Sequence, residues 1–329
     1  MKIAIFSTHE FERPYLEDAN NGEHELIFIE EALGLKTVKQ AEGCKTVVIF
    51  SSDDAGEKVL KELKKREIEL LTTRSAGTDH INLTIAKELG ILISHVPEYS
   101  PNAIAEHCIA LTLALYRKLK KTFRQIDTYN FSLNNLVGYE IENKTVGICG
   151  TGDIGQRLAK LFFGFGAKVL LFDAKENTYL KKRSYCTYVS KAELFKKCDV
   201  ISLNLPLNKK TENFVSGAEI DKMKPTAILI NTGRGELVDT KAVLSALEDK
   251  KIAGFGMDVY ENEKGIFYKD LSQEKKKNKL LQSLIQRDNV IVTAHQAFLT
   301  DNALQNMMET TFENIAQFES GSVLENKIE

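Results

Sequence analysis

Little in this 329-residue chain is extreme, and its scarcities exclude more than its abundances suggest. The formal net charge is only −2, and no basic stretch is interleaved with aromatics. Neither a nucleic acid nor an anionic membrane surface is therefore implied as a partner. The five cysteines (Cys44, Cys108, Cys149, Cys186 and Cys198) are odd in number, scattered, and never spaced C-x-x-C. That suggests neither a disulfide framework nor a zinc site, and it points to a reducing, cytoplasmic setting. No apolar run reaches the length of a membrane span. Met1-Lys2 leads directly into the short run Ile3–Phe6, too brief for a signal-peptide core. The run Lys275-Lys276-Lys277 sits in a polar stretch and reads as a solvated loop or helix face.

What is present is ordinary globular material, 43% hydrophobic and 27% charged, long enough for two domains with ample core. Short apolar runs alternate with helical patterns. A first group comprises Ile3–Phe6, Leu26–Phe28, Val47–Phe50, Leu70–Thr73 and Leu92–Val96. A second comprises Val146–Cys149, Val169–Phe172, Thr187–Val189, Val200–Leu205, Ala227–Ile230, Ala253–Asp258 and Val290–Thr293. The alternation predicts an α/β protein with two doubly wound parallel sheets. Only five prolines occur, and two of them, Pro97 and Pro101, fall close together. They mark a boundary near Val96–Pro101. The following helix, to about Lys120, is apolar almost all round, so it is either core or a subunit interface. A final helix, about Asn302–Phe318, follows the last strand and could return to cover the first domain.

Gly150-Thr151-Gly152-Asp153-Ile154-Gly155 follows an apolar strand and opens a helix, the context that makes this glycine spacing a dinucleotide fingerprint. Gly150 permits the tight turn, Gly152 lets backbone approach a pyrophosphate, and Gly155 lets helix pack on sheet. The N–H groups at the helix start, around Asp153 and Ile154, then face phosphate. Asp173 ends the next strand, where a carboxylate accepts from the ribose hydroxyls and repels a 2′-phosphate. The cofactor reads as NAD rather than NADP.

Ligands of open parallel sheets bind beyond the carboxyl ends of the strands. Asn231-Thr232-Gly233-Arg234-Gly235 follows one such end, and its arginine offers a planar fork that matches a carboxylate. Gly256–Glu263 places three acids, Asp258, Glu261 and Glu263, past another end; each is a surface group or an orienter of a histidine. Val290–His295 supplies that histidine at a third. Leu205-Pro206 ends a fourth strand and borders the cofactor. In the first half, Thr72–Asp79 is a turn of small residues that leaves backbone N–H groups open to an anion.

Taken with Ala76-Gly77, Val96–Pro101 running into Ala105-Glu106-His107, Asp258–Glu261 and His295–Thr300, the set resembles the D-isomer-specific 2-hydroxyacid dehydrogenases nearly end to end. Within them it resembles the NAD-dependent D-lactate branch. The resemblance implies two Rossmann-like domains with a cleft between them. One is a discontinuous, flavodoxin-like catalytic domain of 1–99 plus 298–329, and the other an NAD-binding domain of 100–297. It implies a catalytic set of Arg234, Glu263 and His295. It implies cofactor contacts from the glycine turn, Asp173, Leu205, Pro206, Thr232, Gly233 and Asp258, the last at the nicotinamide. Substrate contacts would come from Ala76, Gly77, Tyr99 and Phe298, and a homodimer would form through the helix at about 101–120. Gly233 departs from the serine or alanine of many members.

The implied reaction is pyruvate + NADH + H⁺ to D-lactate + NAD⁺. His295 is its proton donor, Arg234 grips the 2-oxo acid, and Glu263 orients the imidazole and favours its charged form. The rival readings are a bulkier 2-oxo acid or hydroxypyruvate as substrate, and a non-enzymatic NAD(H)-sensing corepressor on the same fold.

Overall fold

The computed structural model describes Met1–Ile328. The chain divides into two compact units, Met1–Ser100 with Leu299–Glu329, and Pro101–Phe298. Each division falls one residue beyond the boundary drawn from the prolines and motifs.

In the first unit, β1 (Lys2–Ile5), β2 (Glu25–Phe28), β3 (Thr46–Ile49), β4 (Leu70–Thr73) and β5 (Leu92–His95) form one sheet in the order β2-β1-β3-β4-β5. Every pair is parallel. β3 and β4 are buried at every position, because a parallel sheet carries helices on both faces. Helix Glu57–Lys65 shows the logic: Val59, Leu60 and Leu63 lie on one face and are buried, while lysines and glutamates fill the other. The chain's last long helix, Asp301–Ser320, starts on a Thr300 side-chain cap and buries Leu304, Met307, Met308, Phe312 and Ile315. It belongs to this first unit. Asp301 accepts from the Tyr15 hydroxyl (2.8 Å), and the Asn314 amide donates to the His95 carbonyl (3.0 Å).

The second unit holds β6 (Thr145–Cys149), β7 (Lys168–Phe172), β8 (Cys186–Tyr188), β9 (Val200–Leu203), β10 (Ile228–Asn231), β11 (Gly254–Met257) and β12 (Val290–Val292). The order is β12-β11-β10-β9-β6-β7-β8. Strand order reverses between β6 and β9, which makes the carboxyl end of β6 the switch point of the sheet.

Helix Pro101–Tyr116 packs one of its faces into the second unit. Ala105, Cys108, Ile109, Leu111 and Tyr116 are buried, and the helix lies against β11. A Cβ added at Gly256 would stand 3.3 Å from Leu111 and 3.4 Å from Leu115, so glycine in that strand lets the helix approach. One face of the helix is core of its unit, and Asn102, Glu106 and Ala110 stay exposed along the other. It also ends early, because Lys118 takes a left-handed conformation (φ 53°) and turns the chain into a second helix, Leu119–Asp127, that buries no residue. Lys120 anchors that helix by donating to the carbonyls of Ile285 (2.7 Å), Arg287 (2.8 Å) and Val290 (2.7 Å).

Candidate active site

The glycine turn is built as its spacing requires. Gly150 has φ 94°, and a Cβ there would lie 2.2 Å from the Asn204 carbonyl oxygen. A Cβ on Gly155 would lie 2.1 Å from the Gly150 carbonyl oxygen. Both sites admit only hydrogen. Gly152 differs, since its Cβ would meet nothing within 4 Å. Helix Asp153–Gly164 begins at Gly152 with no side-chain cap. Among the described residues, the N–H groups of Asp153, Ile154 and Gly155 donate to no protein group. Asp173 stands beside this turn. Its Oδ2 accepts from the Thr151 N–H (2.7 Å) and hydroxyl (3.0 Å), and its Oδ1 accepts from Lys175 N–H (3.2 Å). Open space at the middle glycine, unspent helix N–H groups and an adjacent carboxylate fit a dinucleotide.

Three neighbouring strands end in the residues singled out for chemistry. His295 follows β12 with a left-handed backbone (φ 53°), held from three sides. Its N–H donates to the Asp258 carbonyl (2.7 Å), its carbonyl accepts from the Tyr268 hydroxyl (3.0 Å), and its Nδ1 lies 2.7 Å from Glu263 Oε1. Glu263 is fixed in turn, since its Oε2 accepts from Tyr260 N–H (3.1 Å). With Nδ1 occupied by the carboxylate, Nε2 is the ring atom left for proton exchange.

Arg234 follows β10. Asn231 folds that turn, donating to the Arg234 carbonyl (2.9 Å) and accepting from Gly233 N–H (3.1 Å), while Arg234 Nη1 donates to the Gly233 carbonyl (3.1 Å). Gly235 brings the turn against the end of β11, where a Cβ would sit 2.1 Å from the Tyr260 carbonyl carbon. Thr232 is buried with its hydroxyl 3.0 Å from Cys108 Sγ, and burial pushes that thiol up to about 11. Leu205 is buried and Pro206 exposed at the end of β9. A methyl at Gly233 would press Leu237 at 3.0 Å.

The three acids after β11 separate cleanly. Glu263 meets the imidazole. Glu261 binds the Thr240 hydroxyl, and burial raises its carboxyl above the usual range. Asp258 is 0% exposed, its oxygens taken by the Thr293 hydroxyl (2.6 Å), Gln296 N–H (2.8 Å) and Ala297 N–H (2.9 Å). Through these bonds the Asp258 carboxylate braces the loop that carries His295. Tyr268, which sequence reasoning missed, lies in the patternless stretch before helix Lys279–Ile285 and carries no motif. Phe298, the last residue of this unit, is buried.

In the first unit, the turn after β4 presents Ala76 and Gly77. Their carbonyls are occupied, by His95 Nδ1 (3.1 Å) and the Ser75 hydroxyl (2.8 Å). Their N–H groups donate to nothing among the described residues. Beneath lies Arg74, 0% exposed, its Nη2 donating to Glu12 (3.0 Å) and to the carbonyls of Phe6 (3.2 Å) and Ser7 (3.3 Å). Sequence reading gave this arginine no role; it ties the turn to the end of β1. The Tyr99 carbonyl accepts from the Asn306 amide (2.8 Å), which pins the Val96–Ser100 segment to the final helix.

The switch-point glycine turn and its partnered acid define a class. The chain belongs to the D-isomer specific 2-hydroxyacid dehydrogenase family, whose NAD binding domain model matches residues 109–297. It is an NAD-dependent oxidoreductase. It is similar to the D-lactate dehydrogenase of Escherichia coli (strain K12), 37% identical over 329 residues that cover 100% of both chains. It is 38% identical to a 2-hydroxyacid dehydrogenase homolog of Haemophilus influenzae, over 99% of this chain and 98% of that one. The structure described as the pyruvate reductase of Chlamydomonas reinhardtii superposes with a TM-score of 0.92 at 36% identity, covering 99% of this chain and 98% of that chain.

Proposed function

We propose that the protein reduces pyruvate to D-lactate with NADH, reversibly. The observation that carries the reading is the 2.7 Å pairing of His295 Nδ1 with Glu263. It orients the ring and directs Nε2 toward a substrate oxygen. Bound NADH supplies the hydride. Arg234 offers its fork to the 2-oxo acid, holding the carbonyl carbon for attack and favouring negative charge on the oxygen. His295 Nε2 gives that oxygen its proton, and in the reverse direction takes it back. The N–H groups of Ala76 and Gly77, with Tyr99, take the substrate carboxylate, and Phe298 supplies apolar wall. Segment 1–100 with 299–329 serves as the substrate domain and 101–298 as the NAD domain.

The same proposal extends to assembly and location. Phe123, Ile126, Tyr129, Phe131, Leu133 and Val137 form a run of exposed apolar side chains, Tyr129 at 86% and Leu133 at 80%. Such a patch supports a homodimer whose interface takes in the helix at about 101–120 and continues into this run. The five cysteines are free and buried, which supports a cytoplasmic setting, and among the described residues no helix is long and apolar enough to cross a membrane.

The test is loss of NADH absorbance on adding pyruvate, with chiral analysis of the product. Pyruvate-dependent oxidation yielding D-lactate is expected. No oxidation, or faster turnover of a bulkier 2-oxo acid across a panel, would overturn the assignment.

A further inference from the structure

Asp258 braces the His295 loop, and two side chains behind it have no place in the mechanism above. Thr293, just past β12, has one hydroxyl proton and gives it to Asp258 Oδ1 at 2.6 Å. Toward His107 Nε2, 3.0 Å away, the same oxygen can therefore only accept. Nε2 of His107 must then carry hydrogen. The donors run in one direction: His107 to Thr293, and Thr293 to the Asp258 carboxylate. His107 Nε2 is itself 3.6 Å from Asp258 Oδ1. Three separate elements meet here, helix Pro101–Tyr116 and the ends of β12 and β11. Beyond the carboxylate, Asp258 binds the N–H groups of Gln296 and Ala297, and its carbonyl binds that of His295.

We infer that His107 and Thr293 are positioning residues for proton transfer at His295. A histidine at φ 53° persists only where its surroundings over-determine it. The relay does this by saturating and orienting Asp258, so that the 293–297 turn has one conformation and the imidazole meets Glu263 at one geometry. Neither residue touches the reacting atoms. The inference rests on the proposed reductase activity for its kinetic arm, and the second arm needs no substrate.

The kinetic arm compares Thr293→Val, Thr293→Ser, His107→Phe and the double variant His107→Phe/Thr293→Val. Thr293→Val should lower kcat about tenfold while KM for pyruvate and NADH affinity stay within about twofold. Thr293→Ser, which keeps the hydroxyl, should restore kcat to within about twofold of wild type. His107→Phe should lower kcat in the same sense. The double variant should be no slower than Thr293→Val, since two links of one relay are not additive. The second arm is hydrogen exchange at the amides of Gln296 and Ala297, which should quicken in Thr293→Val and in His107→Phe and recover in Thr293→Ser. Should the valine variant fail to fold, Thr293→Ala takes its place. Wild-type kcat in His107→Phe, losses that multiply in the double variant, or unchanged exchange at 296 and 297 would each overturn the relay. If wild-type protein reduces no 2-oxo acid, the functional reading falls and the exchange arm still decides this one.

Discussion

At the residue scale, the chemistry depends on shape as much as on charge. Arg234 offers a rigid fork, and lysine supplies only a point charge. Arg234→Lys should therefore lower kcat/KM for pyruvate about 10²-fold or more, while NADH affinity measured by fluorescence titration stays near wild type. Glu263→Gln keeps the size of the side chain and removes the charge facing His295 Nδ1. It should lower kcat by about 10- to 100-fold in steady-state reduction of pyruvate, with a smaller effect on KM. Equal kinetics in either variant would remove that residue from its role. The sequence does not by itself distinguish the acids at 258, 261 and 263. All three follow one strand within six positions, and spacing cannot tell which is turned to a hydroxyl, to backbone amides or to an imidazole. The resemblance to the 2-hydroxyacid dehydrogenases singled out Glu263. The coordinates give Glu261 and Asp258 their other occupations.

At the element scale, local rules carry far and then stop. The short apolar runs predict the twelve strands found among the described residues, because a strand buried on both faces must be apolar at successive positions. The glycine spacing predicts the turn at β6. The break at Lys118 was invisible: no glycine or proline marks it, and a lysine in left-handed conformation is set by the tertiary anchoring of the next helix through Lys120. Nor did the sequence explain Gly256, whose purpose is the closeness of a helix a hundred and more residues earlier in the chain. The three glycines of the turn divide by geometry. Gly150→Ala forces a side chain into left-handed backbone and against Asn204, and should cost at least about 2 kcal/mol in urea unfolding. Gly152→Ala meets open space in the folded chain and should unfold within about 0.5 kcal/mol of wild type. Its added methyl should nonetheless weaken NADH binding, read by the same fluorescence titration. Wild-type NADH affinity in Gly152→Ala would mean the pyrophosphate lies elsewhere.

At the scale of the whole molecule, two properties follow from surface and burial. The exposed apolar run at 123–137 buries nothing in its own chain, so, for the homodimer proposed above, Phe131→Asp with Leu133→Glu should leave the fold intact and shift light-scattering mass from dimer to monomer. A dimeric double variant would move the interface elsewhere. Burial also holds His9 and His107 below the usual histidine range. An unfolded chain takes up those protons first, near pH ~6.5. The stability tied to these neutral rings is therefore complete above that pH and drains away as pH falls toward the lowered native values. Urea unfolding of wild type and His107→Gln at pH values above and below this window should show the smaller acid-side loss in the variant.

The helix Asp301–Ser320 gives synthesis an awkward order. A ribosome delivers the first hundred residues, then the whole of 101–298, and only afterwards the segment whose Met307, Met308, Phe312 and Ile315 cover the earliest sheet. At about 5–20 residues per second, the N-terminal strands wait for roughly 10 to 40 seconds with an oily face unclosed. The nascent polypeptide is therefore most in need of a chaperone not at its end but in the long middle of translation, while the nucleotide-binding half is already maturing beside an unfinished neighbour.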